Sequence, residues 1–276
     1  MYRQRQDRKK SLRSSQWLIG MLLAVSLSGL FLSISAVQLT SPGNGQGILK
    51  QGIVLVTDID NAIPGINESL KEEAALSESE MTQIPIFPIP LQMPKTQAAV
   101  ISDEDLREYI TEKSALMAYE QGIGIFDQDG QQDIGLLSST GAIDRGLSII
   151  TSDNHERIRI TSAVLIVISL ILGILLILST RSYTRLIAVG TAIVAATIPP
   201  LAGLVALRFI FRGAQDSNDP FVNNLLGLGI DAIWIPLRNE IAFAALGAAL
   251  IGTGIVFSLL ASRWPDHSSN LNDRQY

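Results

Sequence analysis

The chain has 276 residues, 47% of them hydrophobic and only 17% charged, with a formal net charge of −5 and no cysteine. Soluble chains carry about 25% charged residues, and here the shortfall is concentrated in uncharged stretches longer than twenty residues. That pattern excludes a soluble enzyme, a secreted disulfide scaffold and a disordered regulator, and the missing thiols exclude thiolate metal sites, iron–sulfur clusters and thioether-linked haem.

Residues 1–16 are basic: Arg3, Arg5, Arg8, Lys9, Lys10 and Arg13 stand against the single acid Asp7. The first uncharged window follows at residues 17–39. About 20 apolar residues cross a hydrocarbon core of about 30 Å, so this window is read as a transmembrane helix. It exceeds the apolar length of a cleaved signal peptide and is expected to remain as an anchor. Basic flanks stay in the cytoplasm, which sets the expected orientation.

Residues 40–157 form an acidic segment, with nineteen acids against seven bases, a balance of −12. It is expected to face outward as an extracytoplasmic domain, and its charge argues against nucleic acid as a partner. It opens on an apolar run, Ile48 to Val56. Residues 66–79 then read as a surface helix, and Asn67-Glu68-Ser69 spells a glycosylation sequon.

Residues 84–94 contain Pro85, Pro88, Pro90 and Pro94, which remove backbone donors and point to an extended, polyproline-like strap. Its apolar side chains Ile84, Ile86, Phe87, Ile89 and Leu91 need cover, from the outer domain, the bilayer surface or a partner, and Ile86, Phe87, Ile89 and Leu91 are read as a candidate interface strap. Ser102 caps the next helix, with Asp103, Glu104 and Asp105 in the first turn where negative charge complements the helix dipole, and Gly122 ends it. The stripe Leu106, Tyr109, Ile110, Leu116 and Met117 is its expected buried face. Asp127, Asp129 and Asp133 resemble part of a calcium loop, but the first and twelfth ligand positions fall on Ile125 and Leu136. A polar turn is therefore expected, and no metal or other cofactor.

Three further windows follow, at residues 160–180, 186–207 and 241–261. None of the four contains Asp, Glu, Lys, Arg or His. Pro199 and Pro200 lie inside the third and are expected to kink or break it near Thr197. Such breaks can expose oxygen ligands, here Thr191 and Thr197. With no ionisable residue beside the break, a plain structural kink is the expectation. The serines of the spans, among them Ser26, Ser162 and Ser169, are expected to bond back to their own helices.

The outer loop 208–240 holds an interfacial segment introduced by Asp219-Pro220, with Trp234 as its anchor at the membrane surface. In the last span Ala244, Ala248 and Gly252 recur every four residues, with Ala245, Gly247, Ala249 and Gly254 beside them, and form a helix-packing face either within the chain or between copies. Residues 262–276 make a cytoplasmic tail.

The expected fold is an all-α membrane protein of four transmembrane helices, with a mainly helical extracytoplasmic domain inserted between the first and second. The expected setting is the plasma membrane of a bacterium, with both termini cytoplasmic. The expected function is non-enzymatic: the outer domain binds or organises a partner in the cell envelope. Partners would be the lipid bilayer and other membrane or envelope proteins, including further copies of the chain. The alternative is a transporter or channel accessory subunit using the third span.

Overall fold

A computed structural model describes residues 2–57, 59–85, 87, 89–122, 146–180, 184–215 and 220–263. The order is α1 (Tyr2–Leu39), α2 (Pro42–Thr57), α3 (Ile59–Leu76), β1 (Met81–Gln83), β2 (Gln92–Pro94), α4 (Lys95–Ala98), α5 (Asp103–Gln121), α6 (Ser152–Ser179), α7 (Thr184–Ala214) and α8 (Pro220–Arg263). Four helices are long and apolar enough to cross a membrane: α1 from Gln16, α6, α7, and α8 as far as Leu260. The chain divides into two compact units, one of Met1–Ile34, Thr161–Ala206 and Pro236–Tyr276, the other of Ser35–Ile160 and Leu207–Ile235.

The first unit is a helical bundle. Leu30 and Phe31 of α1 pack with Ile193 and Ala196 of α7, and Phe243 of α8 joins them. The rings of Phe31 and Phe243 stack 3.9 Å apart between centroids. Serines of α1 and α6 also pair across the two helices, while Ser179 donates back to the Leu176 carbonyl of its own helix at 2.9 Å. Ser26 pairs with Ser169 at 2.9 Å and Ser33 with Ser162 at 2.5 Å, hydroxyl to hydroxyl. The partners lie seven residues apart on both helices, so one antiparallel register satisfies both pairs. In an apolar surround a hydroxyl gains more from a partner across the interface than from sharing a carbonyl that already has a donor.

Two boundaries differ from the sequence reading. Of the expected loop 208–240, residues 208–214 continue α7, and residues 220–240 join the last span in one continuous 44-residue helix, α8, which passes through Pro236. That proline removes a single donor, and the apolar pattern runs on either side of it. Helix α7 likewise continues through Pro199 and Pro200 rather than breaking.

The second unit has its own core. The buried residues Ile59, Ile63, Ile66, Leu70 and Ala74 recur at helical spacing along α3. The helix begins seven residues earlier than expected because this face runs back past Pro64. Helix α2 was not foreseen, since its first half is rich in glycine; the same glycines permit close packing. A β-carbon at Gly45 would stand 2.9 Å from Ile150 and 3.1 Å from the ring of Tyr119. That approach also turns α5 relative to the expected stripe. Beyond Ile110 it buries Ser114, Ala115 and Ala118, small enough to lie against α2, while Leu116 and Met117 are only half-buried.

Both ends of α5 are as the residues dictate. Ser102 Oγ accepts from the Asp105 amide at 3.1 Å, and Gly122 adopts φ 89°, a conformation that costs glycine little. Replacing Ser102 with alanine is expected to cost about 1 kcal/mol. A denaturation series on the second unit's signal checks this, with Ser102→Asp retaining most of the stability.

The proline-rich segment is not an open strap. Strands β1 and β2 pair antiparallel with Thr82 opposite Met93. The chain between them folds back on itself, the Ile84 amide donating to the Leu91 carbonyl at 2.8 Å. Prolines fall in the connecting segment and at the strand end, where no ladder donor is required.

Candidate functional site

The residues expected to form a partner-binding strap lie mostly inside. Ile89 is 0% exposed and Leu91 is buried, both in the core shared with Leu70, Met93, Leu106 and Ile110. Phe87 packs partly against the same core. Ile86 lies outside the described residues, as do Asp127, Asp129 and Asp133. Of the sources of cover expected for the strap, the outer domain itself supplies it for Ile89 and Leu91, because a short hairpin lays them on the core shared with α3 and α5. Asn67 of the sequon is likewise 3% exposed, and its amide donates to the Ile101 carbonyl and to Asp103, so it is packed rather than presented.

What the second unit does present is an acidic surface interrupted by isolated apolar groups. Leu76 at the end of α3 is 85% exposed, next to Glu72 and Glu73, and Val100 is 80% exposed. On the same unit Asp60 and Arg107 pair in a fork-like contact whose second arm spans 3.3 Å. The Arg107 guanidinium holds the Asp60 carboxyl below its ordinary range, outweighing the opposing effect of partial burial. Trp234 is half exposed, and the Arg208 guanidinium lies over its ring at 5.2 Å, a cation–π arrangement. A cleft of about 230 Å³ between α2 and the first part of α8 is edged by Asn44, Gln51 and Asp231.

In the bundle, the small residues of α8 in close contact with α7 are Gly247 and Gly254. A β-carbon at Gly190 would meet the Gly247 carbonyl oxygen at 2.7 Å; one at Gly247 would meet Val194 at 2.8 Å; one at Gly254 would meet Ile187 at 2.7 Å. Helices α7 and α8 therefore touch backbone to backbone along Gly247 and Gly254. Of the expected trio, Ala248 and Gly252 face outward and Ala244 is half-buried. The small residues that matter inside the chain recur every seven residues, not every four, as a long interface with a shallow crossing requires.

Neither threonine beside the prolines offers a free hydroxyl proton. Thr191 donates to the Ile187 carbonyl at 2.7 Å and Thr197 to the Val194 carbonyl at 2.9 Å.

The residue that the sequence reading passed over is Glu240. It precedes the last uncharged window by one position and so was assigned to the loop. In the structure it lies within α8, is 0% exposed, and neither carboxylate oxygen has a hydrogen-bond partner. The signal was present in the spacing: Glu240, Gly247 and Gly254 stand seven apart on one stripe, and all three are buried.

A mostly helical chain with four helices long and apolar enough to cross a membrane is consistent with a multi-pass membrane protein. Comparison with known protein families, with curated proteins and with solved structures finds no match.

Proposed function

We propose that this is a non-enzymatic protein of the plasma membrane, with both termini in the cytoplasm and an extracytoplasmic domain that docks a partner in the cell envelope. The observation that carries this reading is the exposure of Leu76. It is exposed beside Glu72 and Glu73 on a helix that buries Ile59, Ile63, Ile66 and Leu70. An isolated apolar anchor ringed by acids suits a partner surface with a hydrophobic socket and a basic or polar rim. Ala248 and Gly252, outward on α8, suit contact with a neighbouring membrane helix, a second copy included. The basic N-terminal flank supports the orientation and, with the lack of cysteine, a bacterial origin.

The chain has no thiol of its own, so a single introduced cysteine is a clean probe. With Leu76→Cys, a membrane-impermeant thiol reagent is expected to label intact cells, and a photo-crosslinker at that position to give one discrete adduct with another protein. Labelling only after lysis would reverse the orientation. Crosslinks to nothing, or to many proteins equally, would remove the docking reading.

A second reading, a transporter or channel accessory subunit, is favoured by one observation: Glu240, an intramembrane-type carboxylate buried without a partner beside the proline pair of α7.

A further inference from the structure

We propose that Glu240 is a proton-binding site inside the helical bundle, lying level with the Pro199-Pro200 stretch of α7 and holding one exchangeable proton on its carboxyl group. The inference rests on the second reading above and names the species handled there.

The placement follows from the contacts of α7 and α8. Gly254 lies against Ile187 and Gly247 against Val194, so the helices run antiparallel, and each step toward the start of α8 moves toward the end of α7. Phe243 already packs with Ile193 and Ala196. One turn beyond Phe243, on the same stripe, Glu240 comes level with Thr197 and the two prolines. A proline has no amide hydrogen, so Pro199 and Pro200 leave the carbonyls of Ala195 and Ala196 without their usual helical donors. Those carbonyls are acceptors, which suit a carboxylic acid O–H and repel a carboxylate.

Within the apolar stretches of the bundle no residue carries a charge that could balance a carboxylate; the nearest cation of α7, Arg208, lies about two turns beyond Pro200 in sequence, over the Trp234 ring. There is no Asp, Glu, Lys, Arg or His on α1 from Gln16 to Ile34, on α6 from Thr161 to Ser179, or on α7 from Leu186 to Ala206. On α8 itself the nearest charged side chain, Arg238, is exposed. A carboxylate removed from water with no donor and no counter-charge is costly, and such a group takes up a proton instead. A hard cation would need several oxygen ligands. No group of three or more His, Cys, Asp or Glu stands together among the described residues. A proton needs one oxygen. Binding and release are then a single exchange with solvent, carboxylate plus proton giving the neutral acid.

The test is infrared difference spectroscopy on the full-length protein in detergent at neutral pH. The expected result is a protonated-carboxyl C=O band that shifts in D2O and is lost in Glu240→Gln. If Glu240→Gln does not fold, the wild-type spectrum alone decides, since absence of any such band overturns the proposal. A band unchanged in a folded Glu240→Gln protein overturns it too. Loss of the band on adding sodium at constant pH would make the site a cation site and equally overturn it. Flux is measured separately in liposomes carrying an internal pH dye. Proton movement abolished by Glu240→Gln supports both the site and the transport reading. A persistent band with no flux removes transport and leaves the proton site standing.

Discussion

Replacing Gly247 with leucine is expected to be the most damaging single change in the bundle. Its β-carbon alone would press on Val194 at 2.8 Å and on the Gly190 carbonyl oxygen at 3.0 Å. A side chain can rotate away, but a backbone carbonyl cannot, so α7 and α8 must separate. Overpacking of this kind costs about 1–3 kcal/mol or more, and here the upper end is expected because the Gly254 contact on the same stripe is lost with it. Thermal unfolding of the detergent-solubilised protein, read by circular dichroism, checks the prediction. Gly252→Leu and Ala248→Leu are the controls: nothing lies within 4 Å of a β-carbon at Gly252, and Ala248 faces outward. Those two variants should leave the α7–α8 contact within the chain intact and lower the midpoint far less than Gly247→Leu. If either proves as damaging as Gly247→Leu, the heptad interface is misplaced.

The second large effect is expected at Ile89. Truncation to alanine removes a fully buried side chain from the core beneath the hairpin, and cavities of this type cost about 2–5 kcal/mol. Pulse proteolysis in urea should report an earlier unfolding midpoint for the second unit, while Val100→Ala, at an exposed position, should stay within about 0.5 kcal/mol of wild type. The opposite outcome, an unaltered midpoint with Ile89→Ala, would restore the strap as a surface for another molecule.

The long uncharged stretches, the cap at Ser102 and the stop at Gly122 were readable because each depends on local chemistry alone. Helix α2 was not, since a glycine-rich sequence looks like a loop until a neighbour such as Ile150 or Tyr119 fills the space its missing side chains leave. The hairpin was hidden by prolines that fall between and at the ends of its strands. Leu76 could not be recognised as exposed from an amphipathic pattern that continues almost to it. Glu240 was lost to a boundary, because a window chosen to exclude charge necessarily stops beside the one residue whose charge matters. The serine pairs between α1 and α6 were not foreseen, because the register that brings two hydroxyls together is tertiary, which no single helix encodes.

Those serine pairs bear on how the molecule is made. Ser33 and Ser162 are 129 residues apart, and a ribosome adds about 5–20 residues per second. For roughly 6–26 seconds, by that rate, the earliest helix must wait in lipid with its hydroxyls unanswered while the acidic segment is exported. In the proposed topology, with the acidic segment exported, assembly of the bundle would be timed by translocation, and an insertase or lipid headgroup that shelters α1 during the delay would govern yield.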